Sequence, residues 1–155
     1  MYTIRKQFTF EMAHQLSAAA SQECVATIHG HSYVIEVFLE SRDLDRRGMV
    51  IDFGALQSLK AYVAGLDHAL MLPDTLPKEY LDTLKRYNQK LIIVPFNPTA
   101  ENMARMLYEA FSRLPGGHSV AKVRLHETTT GWAEFRPFVC EFIGGKFHRD
   151  DFTPS

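Results

Sequence analysis

The strongest constraint on this chain is a two-residue alternation that twice runs into histidine. From Ile4 to His14 the apolar residues Ile4, Phe8, Phe10 and Met12 fall on even positions, and His14 closes the same series. From His29 to Ser41 the parity is odd, with Tyr33, Ile35, Val37 and Leu39 alternating with Ser32, Glu36 and Glu40. Successive strand side chains point to opposite faces, so each run predicts a strand with one buried face, and His29 and His31 share the buried side of theirs. Between them Leu16 to Ile28, rich in Ala, Ser and Gln, is expected to be a loop delivering Cys24 close to those histidines.

Helical spacing takes over after Asp52. Phe53, Leu56, Leu59, Val63 and Leu66 recur every three or four residues; Asp52 is placed to cap this helix and Gly65 to end it, leaving Asp67 and His68 on the exit turn. Residues 73–90 suggest a short amphipathic surface helix through Tyr80, Leu81, Leu84 and Tyr87, taken as a decoration of the domain. Leu91 to Phe96 suits a short strand, and Thr99 is positioned to cap a second long helix with the stripe Met103, Leu107, Ala110, Phe111 and Leu114, stopped by Pro115-Gly116-Gly117. A third long strand is expected over Ser119 to Glu127. Ala121, Val123 and Leu125 lie on one face of it, Lys122, Arg124 and His126 on the other, and Glu127 has the parity of the apolar face. A last strand is expected from Ala133 to Ile143. The order is α+β, with two hairpin-like strand pairs around two helices that cover one face of an antiparallel sheet.

Composition narrows the function classes. A chain of 155 residues fits one domain, taken here as residues 1–145 followed by a polar tail, 146–155. With 46% hydrophobic and 23% charged residues it can bury a core, and 17 Lys plus Arg against 18 Asp plus Glu leave no basic excess for the phosphates of a duplex. Nucleic acid is therefore not an expected partner. Two cysteines, Cys24 and Cys140, cannot make a disulfide framework, and no apolar run approaches the roughly 18 residues of a membrane helix. No signal-like segment opens the chain, so a cytoplasmic location is expected.

Seven histidines remain to be explained. Residues two apart on a strand share a face about 7 Å apart at the backbone, so His29 and His31 can converge on one ion, and His14 at the end of an adjacent strand would complete a facial set. Zinc suits three imidazoles with a fourth position left for water or substrate; the alternative is three histidines unrelated in space, or two hydrogen-bonded at a strand end. Gly30 would allow close approach of substrate or backbone. In Asp67-His68 a carboxylate could orient an imidazole for proton transfer, although on local evidence a solvated turn is the simpler account. Cys24 could be a nucleophile, a thiolate base or an inert thiol, and Glu23 could compete for its role. Glu127 needs a partner, either an amidine-like N–H pair of a heterocycle or a basic side chain, with Thr128 to Thr130 adding hydroxyl and backbone groups around it. Glu101 most simply complements a helix dipole.

Taken in order, F-T-F-E-M-A-H (8–14), C-x4-H-G-H-S-Y (24–33), G-M-V-I-D-F (48–53), L-D-H (66–68), N-P-T-A-E-N (97–102) and H-E-T (126–128) resemble the 6-pyruvoyl-tetrahydropterin synthase and 6-carboxy-tetrahydropterin synthase family. The resemblance implies a tunnelling fold, or T-fold, with a four-stranded antiparallel sheet and two helices on one face, three subunits closing a barrel and two trimers stacking into a hexamer with sites at subunit interfaces. It implies His14, His29 and His31 as zinc ligands, Cys24, Asp67 and His68 as proton-transfer residues, and Glu127, with Thr128 and Glu101 nearby, in the pterin pocket. The implied substrate is 7,8-dihydroneopterin triphosphate. The implied product is 6-carboxy-tetrahydropterin with loss of acetaldehyde and triphosphate, on the way to queuosine and other 7-deazaguanines. A pyruvoyl product, a hydroxymethyl product of the folate branch, and a non-catalytic pterin- or purine-binding module are the competing outcomes. One spacing departs from the family: four residues separate Cys24 from His29, against five in the pyruvoyl branch and three in the carboxy branch. One residue can move the thiol by up to about 3.5 Å, and Glu23 beside it keeps the hydroxymethyl outcome open. His118, His126 and His148 are expected to be solvated or structural.

Overall fold

The structure is a computed structural model, and it describes residues 1–138. Two long strands, β1 (Tyr2–His14) and β2 (His29–Ser41), pair antiparallel over their whole length, from Tyr2 opposite Ser41 to His14 opposite His29. Even positions of β1 thereby face odd positions of β2. The two apolar series meet on one face, and all three histidines end on that face together. Strands β5 (Val120–His126) and β6 (Trp132–Phe135) continue the sheet antiparallel beyond β2. A register shift at Phe38/Leu39 pairs Val120 with Leu39 and brings the even-numbered Val120 into the core beside Val123 and Leu125.

The helices cover this apolar face. A 3-10 turn (Phe53–Leu56), capped by Asp52 accepting from the Gly54 amide, leads into α2 (Gln57–Leu66), and Thr99 caps α4 (Ala100–Arg113) by accepting from the Asn102 amide. Leu59 and Val63 of α2, with Met103, Leu107 and Phe111 of α4, bury against Phe8, Phe10, Ile35, Val37, Val123 and Leu125. Burying a side chain such as Phe111 completely contributes about 2–3 kcal/mol. Gly116, at φ 81, and Gly117 turn the chain after α4; a Cβ on Gly117 would lie 1.7 Å from the Phe111 carbonyl oxygen, so no larger residue fits this stop.

The sheet is six-stranded and mixed, not four-stranded and antiparallel, with order β4-β3-β1-β2-β5-β6. The further strands are β3 (Ala69–Pro73), which the sequence does not mark, and β4 (Leu91–Val94), within the short strand expected over Leu91–Phe96; each is parallel to its inner neighbour, and α3 (Lys78–Tyr87) links them. Residues 73–90 are therefore no decoration but the crossover of a parallel unit. All five residues of β3 are buried, so this strand has no polar face and carries no alternation for a sequence reading to detect. A helical turn, α1 (Gln22–Ala26), interrupts the expected Leu16–Ile28 loop, and α2 runs on through Gly65 to Leu66. Strand β6 stops at Phe135; residues 139–143 of the expected last strand, Cys140, His148 and the tail 146–155 lie outside the described residues.

On the face away from α2 and α4, buried Glu36 accepts from Arg5, from Arg124 at 3.3 Å and pairs with His126 at 3.1 Å, while Glu134 pairs with Lys122 at 3.0 Å and Arg124 at 2.9 Å. His126 is thus structural. Burial alone would raise the Glu36 pKa, but hydrogen bonds from His126 and Arg5 hold it below the ordinary carboxylate value.

Candidate metal centre and active site

Because β1 and β2 pair without a break, His14 stands directly opposite His29, and His31 lies one side-chain repeat further along the same face. One ligand atom from each histidine lies within 4.8 Å of the other two. Two backbone carbonyls fix the tautomers. His14 Nδ1 lies 2.9 Å from the Pro98 carbonyl and His29 Nδ1 lies 3.1 Å from the Thr27 carbonyl; a carbonyl can only accept, so Nδ1 carries the proton in each neutral ring. Both Nε2 atoms are then lone pairs, and they face each other at 3.1 Å. Two lone pairs at that distance repel unless a positive charge sits between them. Tetrahedral zinc with bonds of about 2.0–2.1 Å separates its nitrogens by about 3.3–3.4 Å, close to the spacing seen here.

The third member supports the same fit. His31 Nε2 is buried with no hydrogen-bond partner among the described residues, an arrangement that is costly for a polar atom and ordinary for a metal ligand. Burial lowers the pKa of His14 and of His31, with the neighbouring imidazoles adding to the effect, so the neutral, metal-binding form is favoured near pH 7. Tyr33, fully buried beneath the group with its hydroxyl 3.4 Å from His14 Nε2, is held as the phenol because burial raises its pKa.

The loop that carries Pro98 is pinned by Asn97. Its Oδ1 accepts from the Ser17 amide at 2.8 Å, its Nδ2 donates to the Ala18 carbonyl at 2.7 Å, and its own carbonyl accepts from Asn102 Nδ2 at 2.9 Å. The N-P-T-A-E-N segment therefore ties the start of α4 to the chain just past His14 and sets the carbonyl that orients His14. Glu127, one residue beyond β5 and on the core-side parity, brings Oε1 to 3.5 Å from His14 Nε2 and 3.8 Å from His31 Nε2. Thr128 Oγ1 accepts from the Gly131 amide at 2.9 Å and shapes the turn that follows. Glu101 is exposed in the first turn of α4.

Strand pairing also brings Asp67 and His68 to this end of the sheet. Met12 of β1 pairs with His31 on one side and with Ala69 on the other. His68 and His31 line one open depression of about 340 Å³ with Glu11, Ala13, Gly30 and Ser32, whose parity is opposite to that of the three histidines, so that it opens on the other face of the sheet. The Asp67 carboxylate accepts from the Glu11 amide at 2.9 Å through Oδ1 and from His68 Nδ1 at 2.9 Å through Oδ2. These bonds, that from Glu11 first, lower the Asp67 pKa and keep it a carboxylate, which fixes the orientation of the His68 ring through Nδ1. His68 is the one described non-glycine residue with positive φ, at 59°, so the turn that looked merely solvated is a constrained one.

Cys24 sits half-exposed on α1 and does not line that depression. The turn is anchored by the Leu16 amide donating to the Cys24 carbonyl at 3.0 Å and by Gln15 Nε2 donating to the Val25 carbonyl at 2.7 Å, with Tyr80 of α3 donating to Gln15 Oε1 at 2.9 Å. Glu23 accepts from Ser21 Oγ at 2.6 Å, and that bond, with a backbone amide, lowers its pKa. Alternation places Tyr33 on the buried face, and Asn97 and Pro98 fall within the N-P-T-A-E-N motif, but their roles at the site become visible only once β1, β2 and α4 are assembled.

Fold and site together define a class: α+β proteins in which a long strand hairpin presents three histidines as a set able to hold a metal ion. The chain belongs to the 6-pyruvoyl tetrahydropterin synthase family, whose profile matches residues 3–137, and it is an enzyme of the 6-carboxy- or 6-pyruvoyl-tetrahydropterin synthase type. It is 36% identical over 146 residues to the 6-carboxy-5,6,7,8-tetrahydropterin synthase of Haemophilus influenzae, covering 88% of this chain and 99% of the relative. It is 33% identical over 141 residues to a protein of the same description from Helicobacter pylori, covering 84% and 70%. Among solved structures, an uncharacterized protein of Wolinella succinogenes superposes with a TM-score of 0.72 at 26% identity, covering 87% of this chain and 97% of that one. The 6-pyruvoyl tetrahydropterin synthase of Caenorhabditis elegans superposes at 0.66 and 22% identity over 88% and 96%, a likeness of fold.

Proposed function

We propose that the chain is a zinc-dependent lyase converting 7,8-dihydroneopterin triphosphate and one water to 6-carboxy-5,6,7,8-tetrahydropterin, acetaldehyde and triphosphate, a step toward queuosine and other 7-deazaguanines. The observation that carries the reading is the convergence of three histidine ligand atoms within 4.8 Å of one another on one face of the β1–β2 hairpin. Relatives named 6-carboxy-5,6,7,8-tetrahydropterin synthase support the carboxy branch.

His14, His29 and His31 would hold the zinc, which when bound supplies Lewis acidity to the hydroxyls of the substrate side chain. His68, oriented through Nδ1 by Asp67, is assigned as a base for that side chain at a subunit interface, since within one subunit it lies with residues of the opposite sheet face. Cys24 is assigned as the second proton carrier. Glu23 is tied to Ser21 and its pKa is lowered, which makes it the weaker candidate at this position. Glu127, next to the triad and followed by the Thr128 turn, holds the N–H edge of the pterin, so that the ring presents its substituent to the histidines. Glu101 belongs to the outer wall of the pocket. The proposed assembly is a homohexamer built as a dimer of trimers; the outer strands β4 and β6 each have one unpaired edge among the described residues, which supports edge-to-edge association of subunits. No helix among the described residues is long and apolar enough to cross a membrane, and a cytoplasmic location accompanies this reading.

Turnover of the purified protein with the triphosphate tests the assignments. His68→Ala and Cys24→Ala each lower kcat by about 10²-fold or more, while Glu23→Ala stays near wild type. If all three variants turn over like wild type the roles are wrong, and a pyruvoyl or hydroxymethyl product overturns the branch.

A further inference from the structure

We infer that Lys90, at the end of the β3–α3–β4 crossover, is a positioning residue that holds the Asp67–His68 peptide in its left-handed conformation and so aims His68. The inference rests on the proposed proton-transfer role of His68. Lys90 Nζ donates to the Asp67 carbonyl at 2.5 Å and to the Ala64 carbonyl at 3.0 Å, although the residue as a whole is exposed. An exposed lysine ordinarily keeps its rotamer freedom in water, so convergence on two carbonyls is a specific arrangement.

The Ala64 contact alone would be a helix cap, since Ala64 lies in the last turn of α2 and a cation there complements the helix dipole. The Asp67 contact goes beyond that. The Asp67 carbonyl and the His68 amide are the two ends of one peptide unit. The amide end donates to the Glu11 carbonyl at 2.6 Å, and the carbonyl end accepts from Lys90. A flip of that peptide plane is the motion that would return His68 from φ 59° to the ordinary negative range, and it would break both bonds. Lys90 closes the far side of the same turn through its backbone, since its carbonyl accepts from the Leu70 amide at 2.9 Å. The turn from α2 to β3 is thus gripped at Ala64, Asp67 and Leu70 by one residue, with His68 between the grips. Lys90 and His68 also line one cavity of about 530 Å³ that adjoins the smaller depression through Ala13 and Ala69.

Lys90→Met keeps the length of the aliphatic stem and removes the donors; Lys90→Arg keeps a cation with donors. The readouts are steady-state kinetics with 7,8-dihydroneopterin triphosphate and the ring ¹⁵N and ¹³Cε1 signals of His68, assigned by their loss in His68→Ala. For Lys90→Met, kcat falls by about 10–100-fold with KM within about twofold, the His68 signals move toward the mixed tautomers of a free imidazole, and metal content is unchanged; Lys90→Arg recovers most of kcat and the wild-type His68 signals. Unchanged His68 signals in Lys90→Met, or a loss of kcat that arginine does not rescue, overturns the inference. If wild type turns over no pterin, the proposed activity fails, while the His68 spectrum still decides whether Lys90 positions that ring.

Discussion

Asn97 offers a test of how the fold builds the metal centre, because its hydrogen bonds go to Ser17, Ala18 and Asn102 and to none of the three histidines. Asn97→Ala removes the bonds to the Ser17 amide and the Ala18 carbonyl, one part-buried and one exposed, which together stabilise the fold by about 1–2 kcal/mol. For a domain of this length the midpoint of thermal unfolding should fall by roughly 3–6 °C in metal-free protein followed by circular dichroism. The larger effect is expected on metal. Releasing the loop frees Pro98, whose carbonyl orients His14 through Nδ1, and losing such an outer partner typically weakens a site by about 10–100-fold. Competition against a chromophoric zinc chelator measures that loss. Asn97→Asp separates the two bonds, since a carboxylate still accepts from Ser17 but cannot donate to Ala18, and it should fall between wild type and alanine in both measurements. If Asn97→Ala binds zinc as tightly as wild type, the proposed path from Asn97 through Pro98 to His14 is wrong.

Other outcomes follow from the same geometry. His31→Ala should reduce zinc from close to one per chain to well below one by elemental analysis while leaving the far-ultraviolet spectrum intact, because His31 Nε2 makes no hydrogen bond among the described residues; full stoichiometry in this variant would remove His31 from the ligand set. Glu36→Gln should cost about 1–3 kcal/mol at pH 7 by urea unfolding, since it weakens the charged hydrogen bonds of a buried carboxylate. The folded pKa of Glu36 is depressed, so its contribution is present above the ordinary value of 4.5 and fades as pH falls through the lower folded value; the wild-type and variant curves should converge there, and a difference that persists would exclude this carboxylate as the cause. Glu127→Gln should raise KM for the pterin by more than tenfold with a smaller effect on kcat, and an unchanged KM would exclude Glu127 as the ring anchor.

Much of this arrangement was legible in the sequence because strand alternation is a strict code. The parity of His14, His29 and His31 already put them on the apolar faces of their strands, and antiparallel pairing brought those faces together. The caps at Asp52 and Thr99 were equally visible, since each follows a local hydrogen-bonding rule. Local pattern failed at β3, a fully buried strand of five residues whose continuous apolar run has no period, and with it went the parallel half of the sheet. The same failure hid the constraint on Asp67 and His68, because the residues that fix them, Glu11 and Lys90, lie 56 and 23 positions from Asp67 in the chain. Pro98 likewise acts through a carbonyl, a group every residue carries and no sequence motif can mark.

The central claim is that this site cleaves the side chain of 7,8-dihydroneopterin triphosphate in the carboxy sense. Acetaldehyde release separates that outcome from the others most directly. Coupled to an alcohol dehydrogenase and read as oxidation of NADH, the reaction should yield one acetaldehyde for each triphosphate released, and both should cease when zinc is removed and return when it is restored. Triphosphate released without acetaldehyde, or acetaldehyde formation that survives complete removal of zinc, would contradict the account.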